Sequence, residues 1–89
     1  MVKDTVEIIN KSGLHARPAS DFIQAAMKFK SKISIGRESE EQRLDAKSII
    51  TMLSLGLSQG EKIELICEGE DEEEALKTLV DLINSGFGE

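Results

Sequence analysis

The sequence predicts an α+β fold, in which helices cover one face of a four-stranded, mainly antiparallel sheet and form an open-faced two-layer β-sandwich. Two patterns predict it: alternating, β-branched segments and segments with helical apolar spacing follow one another in the order βαββαβα. The length of the chain limits the number of domains, because 89 residues suffice for only one small core. We therefore expect a single domain over residues 1–89.

The chain opens with a strand and a helix. Thr5–Asn10 carries β-branched residues in near alternation and predicts the first strand. The first helix is predicted over residues 16–29, because Pro18 fits a helix only in its first turn. Its buried stripe should consist of the apolar residues at helical spacing, which are Ala19, Phe22, Ile23, Ala26 and Phe29.

A charged hairpin is expected next. Lys32–Arg37 alternates and predicts the second strand, and Arg43–Ala46 is its predicted antiparallel partner. The polar segment Glu38–Gln42 should form the turn between them. Its carboxylates are expected to be solvated, with no metal or catalytic role; these are Glu38, Glu40 and Glu41.

A short second helix and a fourth strand follow. Ser48 is a favourable N-cap, and Gly56 is placed to end the helix in the left-handed conformation. Glu61–Cys67 alternates and predicts the strand. Cys67 has no basic flanking residue to favour a thiolate, so we expect a small apolar core residue.

The last helix has the clearest pattern. Asp71 followed by Glu74 predicts a capping box, and Gly86 should end the helix. The acidic run Glu68–Glu74 should stabilise the helix start, where negative charge is favourable. The apolar face of this helix is predicted to consist of Ala75, Leu76, Leu79, Val80 and Ile83.

Composition excludes several classes of function. The net charge of −6 and the absence of Trp and Tyr argue against nucleic-acid binding. No run approaches the roughly 20 apolar residues of a membrane span. One cysteine forbids an internal disulfide and fits a reducing compartment, so we expect a cytoplasmic protein. One His and one Cys do not supply the four or so ligands of a structural zinc site.

The segment Gly13–Ser20 contains the only histidine and the only proline of the chain. Pro18 places a helix start here, so His15 should lie beside unpaired N–H groups and the positive end of the helix dipole. Arg17 can add a planar guanidinium, and Gly13 permits a tight turn with positive φ. Because a neutral imidazole carries a nucleophilic lone pair, the pattern favours a nucleophile next to a phosphate-binding site.

Other interpretations of His15 stay open at this point. A single histidine is most often a surface or structural residue, and a neutral one could cap the helix. The combination with Gly13, Arg17 and Pro18 favours the functional interpretation.

Two motifs resemble those of the HPr family, the histidine-containing phosphocarriers of the phosphoenolpyruvate-dependent sugar phosphotransferase system (PTS). The first is GLHARPAS at residues 13–20, and the second is AKSIITMLSLG at residues 46–56. The resemblance covers essentially all 89 residues. It implies the strand order 1-4-2-3 with three helices on one side, and we expect a monomer without a cofactor or metal.

The resemblance also implies a mechanism. His15 would be phosphorylated on Nδ1, with Arg17 neutralising the phosphoryl oxygens and the amides of Ala16 and Arg17 completing the phosphate site. Enzyme I would donate the group, and the IIA domain of a sugar permease would accept it. The protein would then be a co-substrate in a relay with no turnover of its own.

Ser48 has two interpretations. It is an ordinary N-cap, and it also matches the regulatory serine that HPr kinase/phosphorylase modifies in Gram-positive and related bacteria. Phosphorylation there would repel some partners and recruit a catabolite control protein. Partner docking is expected on the same helix, at Ile49, Ile50 and Leu53.

Three alternative functions remain. An HPr-like carrier of a nitrogen-related or incomplete PTS would act mainly in catabolite regulation. A Crh-type regulator would keep Ser48 but lacks the active histidine, so His15 argues against it as the sole role. A generic α+β interaction domain would leave the first motif unexplained.

Overall fold

The computed structural model describes all 89 residues and confirms the predicted fold class. Four antiparallel strands form one sheet in the order β1-β4-β2-β3. One core of 16 buried residues joins one sheet face to residues of all three helices. The elements are β1 (Val2–Glu7), α1 (Ala16–Ala26), β2 (Lys32–Arg37), β3 (Leu44–Asp45), α2 (Ile49–Leu55), β4 (Lys62–Glu68), α3 (Glu72–Asn84) and a 3₁₀ turn (Gly86–Gly88).

The first strand lies earlier in the chain than predicted. β1 pairs with β4 from Val2 to Glu7, whereas the β-branched pattern predicted Thr5–Asn10. Residues after Glu7 leave the ladder to form the loop that leads to α1, where Ile8 bonds Glu61 and Gly60. The bounds of β1 are therefore set by its partner β4 and by the loop, not by its own side chains.

Helix α1 ends three residues before the predicted end. Beyond Ala26 the amides of Lys28 and Phe29 bond carbonyls only three residues back, so the chain tightens and turns towards β2. The predicted stripe is right for Ala19, Phe22 and Ala26, which are buried, while Ile23 and Phe29 are half-buried against the core.

The hairpin confirms β2 and shortens its partner. β3 spans two residues instead of the predicted four, because only Leu44 and Asp45 pair with β2. The Arg43 side chain bonds Glu64 and nearby carbonyl oxygens of the hairpin. The predicted solvated carboxylates are exposed as expected: Glu38, Glu40 and Glu41.

The second helix matches its prediction at both ends. Ser48 Oγ accepts a hydrogen bond of 3.2 Å from the Thr51 amide, and Gly56 ends the helix at φ 60° and ψ 40°. β4 begins one residue later than predicted. Cys67 is buried in β4 as expected, and burial is the main cause that raises the pKa of its thiol.

The predicted capping box at α3 is wrong. Asp71 is the N-cap residue, but its side chain makes no capping hydrogen bond. Its carboxylate instead accepts hydrogen bonds from the amides of Lys30 (2.8 Å) and Ser31 (3.0 Å), and from the Ser31 hydroxyl. Glu72 accepts a hydrogen bond from the Gly69 amide at 3.1 Å. The carboxylates at the start of α3 therefore stabilise the turn before α3 and the segment before β2.

The far end of α3 lies close to its predicted position. The helix ends at Asn84, and Gly86 at φ 70° opens the 3₁₀ turn. The predicted apolar face is right in part, because Ala75, Leu79 and Ile83 are buried while Leu76 and Val80 are half-buried. None of the helices is both long and apolar enough to cross a bilayer.

Candidate functional site

His15 occupies the N-cap position of α1 in an extended conformation, with φ −125° and ψ 162°. Its side chain accepts no capping hydrogen bond from the helix and is half-buried. The structure therefore argues against the interpretation that His15 is a helix cap. The imidazole lies at the end of the helix where backbone donors are unpaired and the helix dipole is positive.

Ala16 has a left-handed backbone with φ 49°, which is unusual for a residue with a side chain. Helix α1 begins at Ala16 as predicted, and its backbone becomes right-handed from Arg17 onward. Such a conformation costs about 1–3 kcal/mol and persists only where the surroundings hold it. The strained residue directly follows His15, so the loop that presents the imidazole is held under constraint.

The loop before His15 is held by the segment after α2. Gly13 has φ 67°, and a Cβ on it would collide with the carbonyl of Leu57. The Leu14 amide donates to that same carbonyl at 2.9 Å. Buried Asn10 closes the turn through its side-chain amide, which donates to the Gly13 carbonyl at 2.9 Å. A glycine is therefore needed at position 13 for two reasons: the positive φ expected from the sequence, and the close approach of the Leu57 backbone.

Arg17 lies at the surface in the first turn of α1. Its side chain is 90% exposed, and its Nε lies 4.0 Å from a carboxylate oxygen of Asp21. A pair this exposed contributes little to stability. The guanidinium is therefore free to turn towards an anion bound at the helix start, while buried Pro18 anchors the same turn in the core.

The surface of α2 carries the predicted docking residues. Ile49, Ile50 and Leu53 are 42%, 78% and 47% exposed, whereas Met52 between them is fully buried. Exposed apolar side chains grouped on one short helix are typical of a protein contact surface. The Ser48 hydroxyl at the start of this helix is half-buried and already bonded to the Thr51 amide.

Two residues near the site were not predicted. Arg37 and Glu61 form an ion pair of 2.6 Å, 24 positions apart in the chain. The hydrogen bond from Arg37 is the main cause that lowers the pKa of Glu61, and the Ser58 amide and His15 also lower it. Among the many charged residues of the chain, no sequence signal singles out this pair.

Glu89 is a further contact that the sequence did not indicate. Its carboxylate accepts a hydrogen bond of 3.0 Å from the Ser12 amide, 77 positions away. This hydrogen bond is the main cause that lowers the pKa of the Glu89 carboxylate.

Comparison with known proteins gives concordant results. A family model described as the phosphorylation site of the PTS HPr component matches residues 2–85. Phosphocarrier protein HPr of Neisseria meningitidis is 45% identical over 89 residues, covering 100% of this chain and 98% of that protein. Phosphocarrier protein NPr of Escherichia coli K12 is 42% identical over 88 residues, covering 99% and 97%.

Solved structures show the same relationship. HPr from Thermoanaerobacter tengcongensis superposes with a TM-score of 0.94 at 54% identity, covering 100% of this chain and 98% of that one. A dimer of that protein superposes with a TM-score of 0.77 at 54% identity, covering 100% of both chains.

Proposed function

Because the chain belongs to the HPr family of PTS phosphocarrier proteins, we propose that His15 is the residue that carries the phosphoryl group. The observation that carries this proposal is the placement of the only histidine. It stands at the N-terminus of α1, uses no hydrogen bond to cap the helix, and follows a turn held by Leu57. An imidazole presented in this way is available to a partner protein.

The proposed chemistry is an in-line displacement. The Nδ1 lone pair of His15 forms the new bond to phosphorus, while the bond from phosphorus to the donor group breaks and the donor keeps that electron pair. Arg17 and the amides of Ala16 and Arg17 stabilise the phosphoryl oxygens, aided by the positive end of the helix. Positioning and electrostatics dominate such a transfer, because little covalent work falls to the protein.

The proposed donor is phosphorylated enzyme I, and the proposed acceptor is the IIA domain of a sugar permease. The protein is then a shuttling co-substrate that does not turn over alone. Ile49, Ile50 and Leu53 form the proposed docking surface, because they are exposed and apolar. Both partners would use this surface in turn.

A decisive experiment uses the acid lability of phosphohistidine. The protein is incubated with enzyme I and phosphoenolpyruvate, and the product is examined by ³¹P NMR before and after mild acid. We expect one acid-labile phosphate in the wild type and none in His15→Ala. Equal labelling of both proteins would remove His15 from the mechanism.

Regulatory phosphorylation of Ser48 by HPr kinase/phosphorylase is a second part of the proposal. A phosphate would add about −1.5 to −2 charges at the start of α2, beside the docking residues. This change would weaken contact with the relay partners and favour a catabolite control protein. The test is incubation with the kinase and ATP, with Ser48→Ala and an HPr of known reactivity as controls. An unlabelled wild type beside a labelled reference overturns it.

One alternative has specific support. The similarity to NPr of Escherichia coli K12 covers 99% of this chain, so a carrier of a nitrogen-related PTS with a mainly regulatory output is the second candidate. Side-by-side transfer from the enzyme I of a sugar PTS and from its nitrogen-related counterpart distinguishes the two. The donor with the higher kcat/KM identifies the pathway.

We also propose that residues 1–89 act as one cytoplasmic domain and as a monomer. The single core and the free, buried Cys67 agree with a small domain in a reducing compartment. A dimer is known for HPr of Thermoanaerobacter tengcongensis, so the association state is a direct test. Light scattering during size exclusion should give the mass of one chain, and twice that mass would contradict the monomer.

A further inference from the structure

The side chain of Arg37 connects three separate parts of the fold. It extends from the end of β2, and its Nη2 donates to the Leu55 carbonyl at 2.6 Å and to the Gly56 carbonyl at 3.4 Å. These are carbonyls at the C-terminal end of α2, where a cation is favourable. Its Nε donates to Glu61 at 2.6 Å. The side chains of Arg37 and Glu61 are 26% and 32% exposed, so the fold covers most of each side chain.

Glu61 extends the network into the loop after α2. Its second carboxylate oxygen accepts a hydrogen bond of 2.6 Å from the Ser58 amide, while the first is held by Arg37. The carboxylate also lies within electrostatic range of His15, which contributes to lowering the pKa of Glu61. Arg37 and Glu61 together therefore bind both ends of the segment from Leu55 to Ser58.

That segment and the residues just after it support the loop before His15. Leu57 accepts the Leu14 amide at 2.9 Å. The Gly60 amide donates to the Ile8 carbonyl at 2.7 Å. The side chain of Gln59 donates to the Ile9 carbonyl at 3.0 Å. A displacement of this segment would move Leu14, the residue immediately before His15.

We propose that Arg37, acting through Glu61 and the carbonyls that end α2, is a positioning residue for the loop that leads to His15. The inference rests on the proposed phosphocarrier role of His15. Arg37 binds no phosphoryl group; it holds Leu57 in place, and Leu57 holds Leu14. Phosphoryl transfer is sensitive to a displacement of about 1 Å between the reacting atoms, so looser support slows it.

Arg43 supplies a matched control. It also belongs to the β2–β3 hairpin, forms a part-buried ion pair of 3.0 Å with Glu64, and donates to several carbonyls, including that of Arg37. It contacts neither Glu61 nor α2. Arg37→Gln and Arg43→Gln thus remove similar interactions, but only the first removes the support of the loop.

The first measurement is hydrogen exchange of the Leu14 amide, relative to the slowest-exchanging amides of the sheet. We expect Arg37→Gln to lower the relative protection of Leu14 about tenfold, the effect of losing hydrogen bonds to a charged group. Arg43→Gln should leave the ratio unchanged. Arg37→Lys should restore part of it, because a lysine still reaches a carbonyl or Glu61 but without the forked geometry.

The second measurement is transfer from phosphorylated enzyme I. We expect Arg37→Gln to lower kcat roughly three- to tenfold with KM little changed, because the loop moves while Ile49, Ile50 and Leu53 stay exposed. Equal losses in Arg37→Gln and Arg43→Gln, or unchanged protection of Leu14, would overturn the inference. If Arg37→Gln does not fold, Glu61→Gln is the milder variant and the same outcomes decide.

The two proposals fail in different ways. A wild type that accepts no phosphate ends the proposed function, while Leu14 exchange still decides whether Arg37 supports the loop. A wild type that transfers phosphate, with Leu14 equally protected in all variants, ends the positioning role alone.

Discussion

The Leu14 amide and the Leu57 carbonyl form a hydrogen bond of 2.9 Å that fastens the loop before His15 to the segment leaving α2. The loop thus depends on a backbone contact between residues 43 positions apart, and not on its own turn alone. Since Ser48 is the N-cap of α2, one short helix connects the candidate regulatory residue to the support of the candidate phosphorylation site.

Gly13→Ala should destabilise the protein by about 3 kcal/mol. About half of the cost comes from a side chain at positive φ, and the rest from the collision of its Cβ with the Leu57 carbonyl. Urea unfolding measures it. Gly60→Ala is the control, because Gly60 also has positive φ but open space around it. An equal loss of stability in the two variants would show that the Leu57 carbonyl moves away from the new Cβ at no cost, which would contradict the predicted effect of the collision.

Ser48→Ala should lower the free energy of unfolding by about 1 kcal/mol, because the Thr51 amide loses its capping acceptor. Thermal and urea unfolding report the change. Ser54→Ala in the same helix is the control, since its exposed hydroxyl donates only to a carbonyl of the helix. A loss at position 48 no greater than that at position 54 would contradict a capping role.

Asp71 should make stability depend on pH in acid. Hydrogen bonds from the Ser31 hydroxyl and the Lys30 amide hold the pKa of Asp71 at about 2, below its ordinary value of 3.8. A lowered folded-state pKa means that this stabilisation is complete above about pH 4 and is lost as pH falls through about 2.

Urea titrations from neutral pH to pH 2 test this contribution. Asp71→Asn should be less stable than the wild type at neutral pH, and the difference should shrink as the medium is acidified. Asp81→Asn, which removes only an exposed partner of Lys77, is the control. A constant difference between Asp71→Asn and the wild type across this range would refute the assignment.

Ile50→Ala should weaken partner docking without weakening the fold. Ile50 is 78% exposed, so its truncation should change the free energy of unfolding by less than about 0.5 kcal/mol. The KM for enzyme I should rise roughly fivefold or more if the residue is a central apolar contact. Ile66→Ala on the sheet face away from the helices is the control. A KM no higher than that of the control would remove Ile50 from the docking surface.

Local patterns predicted the parts of the fold in which neighbours in sequence interact. The Ser48 cap and the Gly56 end of α2 are right, because each depends on backbone groups within three or four residues. The capping box at Asp71 is wrong, because Ser31, 40 positions away, offers that carboxylate a better set of donors. Boundaries of β1 were missed because β4, not the side chains of β1, determines which residues pair.

From its residues alone, this chain specified an α+β fold, a helix beginning near Pro18 and a histidine beside that helix start. Proline geometry, hydrophobic period and capping preference act over one or two turns, so they can be read without a structure. The strained Ala16, the contact of Leu57 with Leu14 and the Arg37–Glu61 pair arose only on folding. Each depends on which distant segments the single core brings together, and packing decides that for the chain as a whole.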